Sequence, residues 1–248
     1  MPRPRKDRPA PRAACRGGAG TPDAALTAAA IVRELRAQSS PRDVEGQRRF
    51  GINSRSEQLG IRAAVLREIG RRHRRDHALA LALWATDIFE ARGIATLVDD
   101  PRQVTRRQME QWARDCDNWG VTDACCCVLF DRTPFAVEKA HAWSRRRAEY
   151  VKRGGFVLMA GLAVHRKELP DDVFLKFLPV IAREATDGRN FVKKAVNWAL
   201  RQIGKRNPRL RRAAIATARK IHRLDSSAAH WVAADALREL SEKNAQRQ

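Results

Sequence analysis

An indole and a carboxylate one helical turn apart, Trp119 and Asp123, are the pair in this chain best suited to act together. They follow Asp115 and Asp117, an acidic cluster inside a basic protein, and Asn118 is placed to cap a new helix. The i, i+4 spacing puts both side chains on one face. A carboxylate in that position either faces a solvent groove or serves as a structural acceptor. In the second case Asp123 ties to a nearby arginine and Trp119 fills the core.

A second constellation lies downstream. Lys194, Trp198, Arg201 and Lys205 fall at i, i+4, i+7 and i+11 and share a helical face. A tryptophan in a row of cations can hold a nucleic-acid backbone while its ring packs on sugar or base. It can equally be a core tryptophan flanked by snorkelling stems. The surrounding tract has no acidic residue between Asp187 and Asp225, yet it carries Arg189, Lys193, Arg206, Arg209, Arg211, Arg212, Arg219, Lys220 and Arg223 besides that row. An ordinary solvated helix compensates its bases with acids at i, i+4. The missing acids point to phosphate contact by counterion release, without sequence readout.

Other motifs carry less. Cys125, Cys126 and Cys127 are consecutive, so on a helix they splay by about 100° and cannot all face one ion. No Cys-x-x-Cys pair exists and the six histidines are scattered, so the cysteines read as small buried residues, with no metal or cofactor expected. Gly154 and Gly155 follow Arg153 on an expected helix. No strand precedes them and no Gly-Lys-Ser/Thr follows, so they read as a place where another backbone comes close, not as a phosphate loop.

The elements that must position these residues are helices. From Asp23 onward apolar residues recur at helical spacing, as in Ile61, Val65, Leu66 and Ile69, and strand signals are scarce. Pro41, Pro101, Pro134, Pro170 and Pro208 each sit near the start of a helical pattern, and Asp76, Asp171 and Ser226 are suited to N-cap or first-turn positions. About eleven or twelve helices are expected. Residues 1–22, rich in Pro, Arg, Ala and Gly, are expected to form a disordered basic arm, leaving 23–248 as the folded domain. The arm has no apolar h-region, so it does not read as a secretory signal. At 44% hydrophobic and 31% charged the composition is globular, and no apolar run approaches the roughly 20 residues a membrane span needs. A net charge of +21 implies a polyanionic partner.

The chain also resembles itself. Tyr150-Val151-Lys152-Arg153 matches Phe191-Val192-Lys193-Lys194 at an offset of 41 residues, which in an all-α chain falls in the HEAT or armadillo range. An irregular helical bundle is the alternative.

Three runs taken together resemble the AlkD-like DNA alkylation repair family. They are Asp117 to Asp123, Tyr150 to Arg153, and Phe191 to Arg201, and the resemblance extends over roughly residues 45 to 240. It implies an α-solenoid of HEAT-like repeats that binds double-stranded DNA in a concave groove. Trp119 and Trp198 would flank the deoxyribose of a lesion, Asp123 would be the catalytic carboxylate, and Arg153 would help hold the backbone. Gly120 stands where the family often has an acidic residue. The chemistry suits these residue types: a purine alkylated at N3 or N7 is cationic and leaves readily, and a carboxylate near C1′ stabilises the oxocarbenium-like sugar and orients water. The expectation is a monofunctional glycosylase that acts as a cytoplasmic, nucleoid-associated monomer. Its DNA contacts would be Arg153, Lys193, Lys194, Arg201, Lys205 and Arg206. A module of the same fold that binds damaged or branched DNA without hydrolysis is the second reading.

Overall fold

The structure is a computed structural model and describes residues 21–245. The described residues form thirteen α-helices: α1 (Pro22–Ala37), α2 (Pro41–Arg49), α3 (Ala63–Arg72), α4 (His77–Ala85), α5 (Phe89–Val98), α6 (Arg106–Asp115), α7 (Trp119–Ala124), α8 (Ala136–Trp143), α9 (Glu149–His165), α10 (Asp171–Glu184), α11 (Asn190–Arg206), α12 (Pro208–His222) and α13 (Ser227–Ala245). A π-helical turn (Cys125–Leu129) and a 3-10 turn (Phe130–Arg132) continue α7. Helix count exceeds the expected eleven or twelve because short capped pieces such as six-residue α7 leave too few apolar positions for a period to register. Of the expected arm, residues 1–20 lie outside the described residues. Its last two do not belong to an arm: the Thr21 hydroxyl caps α1 and Pro22 opens it.

Local chemistry sets the helix starts. Ser40, Asp76, Thr105, Asn118 and Asn207 each accept a hydrogen bond from the backbone N–H three residues on. Pro41 and Pro208 occupy first-turn positions, where the missing N–H costs nothing.

The helices stack in two rows. In one, α3 packs on α5, α5 on α7, α7 on α9, α9 on α11 and α11 on α13; in the other, α8 packs on α10 and α10 on α12. Antiparallel pairs such as α8 with α9 and α12 with α13 join the rows. This is the HEAT-like solenoid expected from the sequence. The 41-residue offset is the step from α9 to α11, and it sets the Tyr150 and Phe191 rings side by side with centroids 6.0 Å apart.

An aromatic column crosses the rows. Trp84 stacks on Trp112 at 3.9 Å, Trp112 meets Phe130 at 6.1 Å, and Phe130 meets Trp143 at 6.1 Å. Asp115 and Glu110 accept the Trp84 and Trp143 indole N–H groups, so neither ring buries an unmade hydrogen bond. The cysteine run and the glycines explain each other. The Cys126 thiol donates to the Gly154 carbonyl and that of Cys127 to Val157, while a Cβ on Gly155 would lie 2.4 Å from the Ser144 backbone nitrogen. Small thiols and bare glycines let α9 approach both neighbours closely.

Residues 50–62, between α2 and α3, form an irregular strap held by carboxylates. Buried Glu90 on α5 accepts the backbone N–H groups of Leu59, Gly60 and Ile61 at 2.9, 2.8 and 3.3 Å. Gly60 has φ +73°, and a Cβ there would lie 2.3 Å from the Ser40 carbonyl oxygen. Replacing Glu90 with Gln would turn an amide NH₂ toward these donors. Glu90→Gln is expected to cost about 2–3 kcal/mol, read from the denaturant midpoint, and to speed hydrogen exchange at the amides of Leu59 to Ile61.

Candidate nucleic-acid interface

The site grows from one cap. Asn118 accepts from the Val121 N–H at 3.1 Å, and its carbonyl accepts from the Thr122 hydroxyl at 2.7 Å. These bonds start α7 at Trp119 and place Asp123 one turn later on the same face. The Trp119 indole N–H donates to the Phe50 carbonyl at 2.9 Å, so Trp119 is pinned under the strap and half-buried.

Asp123 faces Arg153 across the α7–α9 contact. The guanidinium grips the carboxylate with two bonds, Nε to Oδ1 at 2.8 Å and Nη2 to Oδ2 at 2.7 Å, and Nη1 donates to the Phe191 carbonyl of α11 at 2.6 Å. One buried arginine therefore joins three consecutive helices of a row. Arg153, expected to help hold a DNA backbone, has its nitrogens on protein acceptors here with its side chain only 8% exposed. Asp123 keeps 22% of its side chain exposed. Burial pushes its carboxyl above the ordinary range, and the Arg153 hydrogen bonds and charge pull it back.

Trp198 is half-buried and packs against the core. It lies seven residues beyond Phe191 on α11, about 10 Å along the axis. By the 41-residue register it is level with Val157, while Lys194 is level with Arg153. Trp119, Asp123 and Trp198 thus share one helix row, with Trp198 offset by a turn from the Asp123–Arg153 pair.

The basic tract is acid-free in sequence but not in space. Arg201 pairs with Glu239 and Asp235, and Lys205 pairs with Glu239, all supplied by α13. Arg189 pairs with Asp187, held at a pKa of about 2 by that guanidinium and by Lys152. Arg206 points away from Asp123 to the far end of α9, where it donates to the carbonyls of Ala163, Arg166, Lys167 and Leu169 and lies over the Phe174 ring. Those bonds cap the C-terminal end of α9, so Arg206, expected at DNA, is held within the protein. Lys193 lies 4.9 Å from the Trp231 ring centroid. Lys194 is exposed and has no acidic partner among the described residues.

Sequence reasoning missed three groups. Arg145, Arg146 and Arg147 are exposed just before α9 and form no ion pair among the described residues; the triplet was a visible signal. Asp117 accepts from the Ser54 hydroxyl at 3.1 Å and the Arg55 N–H at 2.5 Å, and so fastens the strap beside Trp119. A cleft of about 370 Å³ runs from Arg55, Arg114 and Asp117 to Glu149 and Tyr150. Among the described residues no group of three or more His, Cys, Asp or Glu could hold a metal ion, and no helix is long and apolar enough to cross a membrane.

Breaking the central pair from one side leaves a carboxylate without its partner. Arg153→Met is expected to destabilise the protein by about 3 kcal/mol in a denaturant titration, and the double variant Arg153→Met, Asp123→Leu should recover most of that loss.

No curated protein sequence matches the chain. A solved structure is similar over 82% of this chain and 91% of its own, with a TM-score of 0.69 and 16% sequence identity. It is described as a new family of proteins related to the HEAT-like repeat DNA glycosylases with affinity for branched DNA structures. The family model described as DNA alkylation repair enzyme matches residues 31–245. The chain, with its two rows of helices and its Trp119–Asp123 turn, belongs to this DNA alkylation repair family.

Proposed function

We propose that the protein binds double-stranded DNA along the row of α7, α9 and α11 and releases N3- or N7-alkylated purines by hydrolysis of the N-glycosidic bond. The observation that carries this reading is the Asp123 carboxylate. It is oriented by two bonds from Arg153, partly open to solvent, and one turn from Trp119. A cationic alkylated base needs no protonating acid to leave. What the reaction needs is a fixed negative charge beside the sugar as positive charge develops, and a carboxylate locked in place costs no reorganisation at that moment. Arg153 acts here as a positioning residue, while Trp119 and Trp198 offer indole faces to the deoxyribose. Lys194 and Arg145 to Arg147 supply phosphate contacts; Lys193, Arg201 and Lys205 sit in intramolecular contacts that DNA would have to share.

One observation favours a second reading, a module that binds damaged or branched DNA without cleaving it. Arg153 satisfies both oxygens of Asp123, so the carboxylate already works as a structural tie between α7 and α9. The similar solved structure is of a group with affinity for branched DNA.

Single-turnover release of 7-methylguanine from methylated duplex separates the two readings. Wild type should exceed the spontaneous rate. Asp123→Asn, with its fold checked by circular dichroism, should lose roughly 10²- to 10³-fold in rate, about 3–4 kcal/mol, while affinity for intact duplex holds or rises. Release no faster than spontaneous loss would leave the binding module.

The pH dependence follows from the same group. Only the ionised carboxylate stabilises the sugar cation, so the rate should fall as pH drops through the folded-state pKa of Asp123. Because that pKa is raised, the acid limb should appear above the ordinary carboxylate value of 3.8 and vanish in Asp123→Asn.

Duplex affinity should depend steeply on salt and little on sequence. With about six phosphates neutralised it should fall roughly 10³-fold between 50 and 200 mM salt, read by fluorescence anisotropy.

A further inference from the structure

Phe50 is 78% exposed, the most exposed of the large hydrophobic side chains among the described residues. A lone exposed apolar residue is ordinary; one on a rigid mount at the rim of a candidate site is not. Phe50 caps the C-terminus of α2, and its carbonyl accepts the Trp119 indole N–H. The next residue, Gly51, has φ +79°, and a Cβ there would lie 2.7 Å from the Phe191 ring. Four residues on, Asp117 takes the Arg55 N–H. The backbone beneath the ring is therefore fixed from α7 and α11, the two helices that Arg153 joins. Leu26, also exposed at 71%, lies within α1 and has no such mount. Exposed Arg48, Arg49 and Arg55 lie near Phe50 in sequence; Arg49 pairs with Glu45 and Arg55 with Asp117, and Arg48 has no ion pair among the described residues.

We infer that Phe50 is a wedge that enters the base stack of duplex DNA where stacking is weakened, as at a nick, a junction or an alkylated base pair. Apolar side chains of this kind separate base steps in other DNA-binding proteins when nearby cations hold the backbone. A ring carried on the backbone that the Trp119 indole holds would open the helix near the Trp119–Asp123 turn. An intact duplex resists the insertion because full stacking must be broken; a discontinuity has already lost part of it. The ring therefore sets preference for distorted over intact DNA, while the cations set overall affinity. This rests on the DNA-binding reading above and adds the residue that senses distortion.

The test compares wild type, Phe50→Ala and Phe50→Trp on an intact duplex and on the same duplex with one nick, 2-aminopurine standing at the nick. Wild type should prefer the nicked duplex and raise 2-aminopurine fluorescence on binding, because the ring parts it from its neighbour. Phe50→Ala should lose roughly ten- to hundredfold of affinity for the nicked duplex, change less than twofold on the intact one, and leave the fluorescence flat. Phe50→Trp should keep the preference. The wedge is overturned if wild type binds duplex without a fluorescence rise, or if Phe50→Ala retains the full preference; DNA binding itself then stands. Absence of binding to either duplex at low salt overturns both the wedge and the proposed function.

Discussion

The Arg153 guanidinium is the contact on which the rest of the site depends. It reaches from α9 to the Asp123 carboxylate of α7 and to the Phe191 carbonyl of α11. A helix row gains its curvature from how each helix sits on the next, and here one planar, always-charged group fixes two successive steps. Lysine could not do this, since an ammonium has no fork to meet both carboxylate oxygens and a carbonyl at once. The same contact decides the character of Asp123. Without the cation, burial would neutralise the acid; with it, the carboxylate stays within reach of ionisation while pointing in one direction.

Around that contact the protein places groups the row itself does not supply. The strap of residues 50–62 comes from far upstream in the sequence and is drawn across α7 by Glu90 and Asp117. Trp119 is thereby read from two sides, as a helix residue from below and as a hydrogen-bond donor to Phe50 from above. Arg145 to Arg147 reach the same end of α9 from the preceding turn. Cationic and aromatic surface thus collects at the starts of α7, α9 and α11.

Legibility in the sequence followed the range of the interactions. The Asn118 cap, the Trp119–Asp123 turn and the Pro41 and Pro208 starts were readable because each acts within four residues. The Tyr150–Phe191 offset was readable because a repeat copies its own spacing, and it anticipated two rings that meet in space. The strap was not readable: Asp117 meets Arg55 across 62 residues, and no local pattern marks such a bond. The ion pairs of the basic tract were unreadable for the same reason. Its missing acids arrive from α10 and α13, as Asp171 and Asp172 for Arg209 and Glu239 for Arg201. A charge count along one helix cannot see a neighbour's carboxylates. Asp123 itself took on features of both alternatives, tied to an arginine and still partly open.

Glu90 holds the strap through three backbone N–H groups, which every residue except proline carries, and Asp117 adds a fourth at Arg55 beside its bonds to the Ser54 and Arg55 side chains. Where those bonds hold it, the path of the strap is insulated from side-chain identity, while Ser54, Ser56 and Gln58 add side-chain bonds and Leu59 and Ile61 are buried in the core. Gly51 and Gly60 are fixed by shape, Ser56 by its bond to Asp87 and Arg55 by its pairing with Asp117, but Phe50 and Asn53 are exposed on a main chain held by other groups. Such a segment is open to substitution by drift or by design: its outward residues can be exchanged for others, and what the rim of the groove touches can be rewritten while the solenoid beneath keeps its form.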